Sequence, residues 1–348
     1  LGGAAVAASP LIAHAGGKTI SVEPGDSIQA AIDSAHPGDT VELEEGTYFE
    51  QVNIAKDDIT LKGEGASETI LMPPKQGGAQ PTTFSPNCDA AESQTGICVA
   101  SGPVPSEGGA VTRVLEGVRV EDLTVTEFGG SGLFFFGTRG GHVEDVHASN
   151  DGFYGIFFNS SSEGVIRDNV VWGNGEAGIY YGDSPDADAW ISHNTAHGNG
   201  NGLFLRDASE GTVTDNNSWG NCIGILVLNT GSGNTDWLLK DNDVNKNNNA
   251  CPGGGPAPPT SGLGIVIASA SNIHVTRNEV AGNDAGANPT PASGGIVLFN
   301  FGIPESNNTV DHNKAEGNST DIVWDGSGTG NTFKHNDCDT STTPPAAC

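Results

Sequence analysis

From about residue 118 to the end, short β-prone runs of alternating apolar and polar residues are each closed by an Asp or Asn: Asp145, Asn169, Asn194, Asn216, Asn242, Asn278, Asn313 and Asn336. These lie 24, 25, 22, 26, 36, 35 and 23 residues apart, and a second Asn follows five residues after each of the first seven, at Asn150, Asn174, Asn199, Asn221, Asn247, Asn283 and Asn318. A glycine-led apolar triplet comes next: Ile156-Phe157-Phe158, Ile179-Tyr180-Tyr181, Leu203-Phe204-Leu205, Ile225-Leu226-Val227, Ile265-Val266-Ile267 and Ile296-Val297-Leu298. A unit of three short strands and polar turns cannot bury its own apolar face, so it must stack on copies of itself. The pattern predicts a parallel solenoid. Alternation sends one set of side chains inward, and an Asn recurring at one turn can hydrogen-bond to its copies on adjacent coils. Both Asn columns therefore read as structural rather than catalytic.

Three stretches break the period. Residues 251–261 (CPGGGPAPPTS) and 284–293 (DAGANPTPAS) lengthen two successive units between the second Asn and the triplet, so they should leave the same corner of neighbouring coils as one wall. A Pro/Gly/Ser-rich excursion, 73–109, interrupts the chain before its regular part.

Composition narrows the picture further. One Met, 51 Gly and few helix-forming stretches point to an all-β chain. With 14 Lys+Arg against 43 Asp+Glu, the net charge is −29, so a nucleic acid or an anionic membrane surface would be repelled. No apolar run reaches the roughly 18 residues of a membrane span. Residues 1–15 are small and apolar and end in Ala13-His14-Ala15, the form of an export-signal cleavage site, with a disordered arm as the alternative. Six cysteines fall in three sequential pairs without zinc-type spacing, and in an exported chain they are expected to form local disulfides, Cys88 with Cys98, Cys222 with Cys251 and Cys338 with Cys348. The last would tie down a tail at 341–348.

The opening Ser27-Ile28-Gln29-Ala30-Ala31-Ile32-Asp33, followed by Pro37-Gly38-Asp39-Thr40-Val41, Glu45-Gly46-Thr47-Tyr48 and Val52-Asn53-Ile54, resembles the start of right-handed parallel β-helix proteins of the pectate-lyase-like superfamily. With the later coils the resemblance covers about residues 18–340, inside one domain spanning 16–340. It implies a single-stranded right-handed parallel β-helix with a short N-terminal capping helix, in which Ser27 is the N-cap and Ile28, Ala31 and Ile32 share one face. The superfamily includes lyases, polyuronide epimerases and non-catalytic repeat proteins, so the fold alone does not select a reaction. The Asp-Pro-His string resembling the catalytic signature of mannuronan epimerases is absent: His36-Pro37-Gly38-Asp39 and Ser184-Pro185-Asp186 do not supply it.

If the first and third triplet residues point inward, Phe134, Phe157, Tyr180, Phe204, Leu226, Val266 and Val297 form an outward column, flanked by Phe136, Asn159, Gly182, Arg206, Leu228, Ala268 and Phe299. Such a stripe needs a ligand or a cover. Either the insertions or the 73–109 excursion fold over it, or Phe134, Phe136, Phe157 and Phe204, with Asn159 beside them, line a groove for sugar rings. Asp183 and Asp207 share one position on successive coils beside Arg206 and Tyr180, so Tyr180, Asp183, Arg206 and Asp207 are the candidate catalytic groups. Two carboxylates could serve as a glycosidase pair; in a lyase or epimerase Arg206 would neutralise a uronate and Tyr180 carry a proton. The alternative is a turn column paired to Arg206. Asp183, Asp186 and Asp188 form an oxygen-rich turn that could hold Ca²⁺ or simply be solvated, and no other cofactor is implied. His193, His274, His312 and His335 should face solvent, and no paired metal-binding His motif occurs.

These readings converge on a secreted, monomeric carbohydrate-active enzyme of lyase, epimerase or hydrolase type, acting on a neutral or weakly charged glycan or a cation-bridged uronate. A non-catalytic binding or scaffold module, and an enzyme isomerising or cyclising a small apolar metabolite, are the alternatives.

Overall fold

The computed structural model describes residues 17–75, 87–89, 94–105, 110–233, 235–253, 258–288, 290–339, 342–344 and 347–348, so the expected export signal at 1–15 lies outside the described residues. The strands form three long sheets of 12, 11 and 11 members, here sheets 1, 2 and 3. Every pairing in them is parallel, between a strand and its counterpart one coil away. One coil runs Val165–Arg167 in sheet 1, Val170–Trp172 in sheet 2 and Ala177–Ser184 in sheet 3. The next coil follows in register, with Val165 opposite Trp190, Val170 opposite Thr195 and Tyr180 opposite Phe204. Inward residues of this coil, Ile166, Val171, Ile179 and Tyr181, are fully buried. Phe135, Phe158 and Tyr181 stack ring on ring inside the solenoid, with centroids 4.4 and 5.4 Å apart.

The turn from sheet 1 to sheet 2 explains the first Asn column. A residue with left-handed backbone, φ 53–59° at Asp168, His193, Asp215, Asp241, Arg277, His312 and His335, turns its side chain to solvent and the following Asn into the stack. Asn194 shows the pattern: its Nδ2 donates to Ile166 O and Asn216 Oδ1, each at 2.9 Å, and its N–H donates to the same Oδ1 at 3.0 Å. The column continues to Asn336, and a second runs in the same way from Asn174 to Asn318. These buried amides satisfy turn backbone that no sheet ladder reaches.

The columns begin one residue later than the sequence pattern implies. Glu144 pairs with Arg167 and His147 with Val170, so Asp145 matches the left-handed Asp168, and Val146 occupies the position of Asn169. Likewise Asp151, not Asn150, donates its N–H to Asn174 Oδ1, at 3.1 Å. An adjacent Asp-Asn pair fills both the outward and inward sites in later coils, so residue type alone cannot set the phase.

At the N-terminal end the helix Ile28–Ser34 buries Ile28 and Ile32, and Ser27 Oγ accepts from the N–H of Ala30 at 3.2 Å. The Glu50 carboxylate from the next coil accepts from the N–H groups of Ile28 and Gln29 at 2.8 and 3.1 Å, satisfying donors that the first helical turn leaves free. At the other end Thr342–Thr343, within the expected tail, adds a last strand to sheet 3. The disulfides are Cys88–Cys98, Cys222–Cys251 and Cys338–Cys348, and no cysteine is free. The two insertions touch: Asn288 Nδ2 donates to Ser261 Oγ at 3.2 Å, and Cys251 and Thr260 exchange backbone hydrogen bonds at the base of the first.

Candidate functional site

Register places the two outward rows of sheet 3 as expected: Phe134, Phe157, Tyr180, Phe204 and Leu226 in one, and Phe136, Asn159, Gly182, Arg206 and Leu228 in the other. Pointing out of the solenoid is not the same as meeting water. Phe134, Phe136, Phe157, Tyr180 and Phe204 are only 2, 7, 8, 2 and 6 % exposed. Cys98 stands opposite Phe134 one coil earlier, and its disulfide to Cys88, with Ala100, Val104 and Val111, packs onto these rings. The rings also cover one another: Phe134 and Phe157 stack at 4.0 Å, and Phe157, Tyr180 and Phe204 meet edge to face at 4.9 and 5.0 Å. The four phenylalanines are thus an outer core packed with Cys88, Cys98, Ala100 and Val104 of the 73–109 excursion, as the covered alternative has it and not as open stacking platforms.

Polar groups collect where that core ends. A Cβ on Gly182 would lie 2.3 Å from Tyr180 Cε1 and 2.4 Å from its hydroxyl oxygen, so the phenol lies flat over this glycine, between Asn159 and Arg206 in register. Burial pushes the Tyr180 hydroxyl far above its ordinary range, with the Arg206 charge opposing and Asp183 reinforcing the shift. It is a proton donor at any ordinary pH. Arg206 is 41 % exposed at its side chain, and although partial burial works against its charge, the oxygens of Tyr180, Asp183, Asp207 and Tyr154 hold it protonated. Asp183 is exposed and accepts from Asn159 Nδ2 at 2.8 Å, while Ser160 Oγ donates to Asn159 Oδ1 at 2.8 Å and fixes that amide's orientation.

Asp207 stands apart from Asp183 despite sharing its position. Its side chain is 1 % exposed, it accepts from the Thr230 N–H at 2.7 Å and from Thr230 Oγ1, and Arg206 Nε lies 3.4 Å away. It holds the turn of the next coil. The expected pair of solvent-facing carboxylates therefore reduces to one, Asp183.

The metal expectation at Asp183, Asp186 and Asp188 also changes. All three are exposed, and their carboxylates do not converge within 4.8 Å. Among the described residues the one group of three donors that does converge is Glu121, His142 and Glu144. Arg119 Nε lies 2.6 Å from Glu121 Oε1 and Arg167 bonds Glu144, so those carboxylates are already neutralised as an ion-pair network on sheet 1. His193, His312 and His335 are exposed at their left-handed turn positions.

Sequence reasoning passed over a second surface. On the outer face of sheet 2, Trp172, His197 and Trp219 share one row, with Ser149 before them; His197 stacks on Trp219 at 4.3 Å and on Trp172 at 6.0 Å, and His147, from the neighbouring row, meets Trp172 edge to face at 5.5 Å. Trp219 remains 45 % exposed and ends in a concavity of about 680 Å³. The signal was present as aromatic residues repeated 25 and 22 positions apart, in phase with the Asn columns.

Compared with known proteins, the chain resembles solved structures along most of its length. The A-module of the Azotobacter vinelandii mannuronan C-5 epimerase AlgE6 is 18 % identical with a TM-score of 0.56, covering 90 % of this chain and 91 % of its own. A DFA-IIIase from Arthrobacter chlorophenolicus A6, determined without its lid in complex with GF2, gives a TM-score of 0.65 at 12 % identity, over 95 % of this chain and 97 % of its own. The catalytic domain of a GH87 alpha-1,3-glucanase in complex with tetrasaccharides gives 0.58 at 13 %, over 95 % and 68 %. The chain is a right-handed parallel β-helix protein. At these identities the likeness establishes the β-helix and not the reaction. A family model described as periplasmic copper-binding protein (NosD) matches residues 104–257 of this β-helix, and no curated protein sequence matches it. Among the described residues no helix is long and apolar enough to cross a membrane.

Proposed function

We propose that this β-helix is an exported carbohydrate-active enzyme whose reacting groups are Tyr180, Asp183 and Arg206, with Asn159 as a positioning residue. The observation that carries the reading is the grouping of three different chemistries at one spot: a phenol buried over Gly182, an exposed carboxylate held by Asn159 and a half-exposed guanidinium on adjacent coils. One open carboxylate does not make a glycosidase pair, but one base, one acid and one cation suit proton abstraction beside a uronate carboxylate. Asp183 takes the proton from the carbon next to that carboxylate, Arg206 holds the charge that spreads onto it, and Tyr180 supplies a proton. Donation to the leaving glycosidic oxygen gives elimination; donation back to carbon gives epimerisation. With a net charge of −29, the favoured substrate is a glycan of neutral sugars with sparse uronates, since a dense polyanion would be repelled. Three disulfides and no free cysteine fit an oxidising compartment outside the cytoplasm.

Among the described residues the copper in the NosD description finds no converged set of three free donors. All cysteines are in disulfides, Met72 is the single methionine, and the carboxylates of the Glu121, His142 and Glu144 group are held by arginines.

The non-catalytic module is kept as a second reading because Tyr180 is only 2 % exposed. Product analysis of a panel of uronate-bearing glycans decides between them. Wild type should release unsaturated or epimerised residues, and Asp183→Asn should lower turnover by about 10² or more; wild type without turnover, or unchanged turnover in Asp183→Asn, would reject the site.

A further inference from the structure

The outer face of sheet 2 changes character at Trp219. On its row the side chain shrinks from Trp219 to Asn245 to Ala281 on successive coils, then grows again at Glu316. This drop in size makes the trough: Trp219 walls one end, Ala281 and Gly282 form the floor, and Glu316 closes the other. It holds about 680 Å³ and opens broadly to solvent along one side, as a groove for a chain-like ligand would. It crosses successive coils along the solenoid axis, each advancing ~4.8 Å, comparable to the length of one pyranose unit in an extended chain.

Lys246 marks the same place. The corresponding residue of neighbouring coils is Gly173, Gly198, Gly220, Gly282 and Gly317, all with φ between 62 and 69°. Lys246 holds that left-handed conformation at φ 51°, where a side chain is disfavoured, and its Cγ lies over Gly282 at the trough floor. A lysine kept where glycine would be easier puts an amine at the edge of a cavity whose other polar lining is amide and carboxylate.

We propose that this trough is a glycan-binding subsite that holds neutral sugar residues along the solenoid axis, with Trp219 as stacking platform and Asp243, Asn245 and Lys246 as hydroxyl partners. The exposed face of Trp219, backed rigidly by His197, offers a flat π surface to the C–H face of a sugar ring. Carboxylate, amide and amine together accept from and donate to vicinal hydroxyls. The acidic lining, Asp243 and Glu316 against Lys246, selects neutral sugars over polyanions. The choice of ligand class rests on the carbohydrate reading above, but the trough lies on a different sheet from Tyr180, so the two can fail separately.

The test is a fluorescence titration of the full chain with cellohexaose, xylohexaose, mannohexaose and hexagalacturonate, repeated with Trp219→Ala, Lys246→Gly and Asp183→Asn. At least one neutral hexasaccharide should perturb tryptophan emission, and the galacturonate should not. Isothermal calorimetry should show that affinity about tenfold weaker in Trp219→Ala, weaker in Lys246→Gly although that fold is relaxed, and unchanged in Asp183→Asn. Absence of binding by every neutral hexasaccharide, or binding that survives Trp219→Ala, overturns the subsite. Binding of this pattern together with no turnover by wild type, or with unchanged turnover in Asp183→Asn, would leave the subsite standing by itself.

Discussion

The outer faces of sheets 2 and 3 both carry stacked aromatic side chains in register, yet Phe157 is 8 % exposed and Trp219 45 %. Direction is identical in the two rows. What differs is the non-repeating chain beside them: the Cys88–Cys98 disulfide, with Ala100 and Val104, packs on the rings of sheet 3, and sheet 2 keeps Trp219 bare. In a solenoid the repeat dictates which way a side chain points, and the interruptions dictate whether it meets solvent. The reacting groups proposed for sheet 3 lie at the edge of its cover, where Arg206 and Asp183 emerge; the subsite proposed for sheet 2 lies on an open row.

Deleting parts of each region should expose this division. The largest effect is expected in the Asn columns, which serve neither outer face. Asn216 Oδ1 accepts from Asn194 N and Nδ2, and its own Nδ2 donates to Ile191 O, Thr214 O and Asn242 Oδ1. Asn216→Ala strands several buried groups at about 1–3 kcal/mol each, so a loss of about 3 kcal/mol or more is expected in chemical denaturation. Opening the sheet 3 cover comes next. Cys88→Ser with Cys98→Ser should cost about 2–3 kcal/mol and create dye-binding apolar surface over Phe134 and Phe157, whereas Trp219→Ala should change stability by no more than about 0.5 kcal/mol. Smaller still, and opposite in sign, Lys246→Gly should raise stability by about 1 kcal/mol by removing the left-handed lysine. Finally, an ultraviolet titration should show Tyr48, Tyr180 and Tyr181 ionising above the ordinary value of about 10, because burial disfavours each phenolate, and Tyr180→Phe should lower the amplitude of that late step by one tyrosine.

Most of the architecture was legible because the information repeats. Triplet, Asn and turn recur in phase, and their stacking is the only arrangement that buries the triplets. The phase slipped by one residue at Asp145 because Asp is equally at home in the left-handed turn and in the inward column. The site was legible in direction but not in exposure: Tyr180, Asp183, Asn159 and Arg206 do share one corner, while Asp207 differs from Asp183 through Thr230, a contact 23 residues away that no local pattern encodes. Trp219 went unnoticed because its row alternates Trp with His, and only register shows that they stack.

The decisive measurement is turnover and binding of one weakly charged glycan by two variants side by side, Asp183→Asn on sheet 3 and Trp219→Ala on sheet 2. The expected result is a double dissociation: Asp183→Asn binds and does not turn over, and Trp219→Ala keeps its turnover of short substrates while losing affinity for long ones. Parallel loss of both properties in both variants would contradict two separate surfaces, and full activity in Asp183→Asn would contradict the reacting groups assigned to sheet 3.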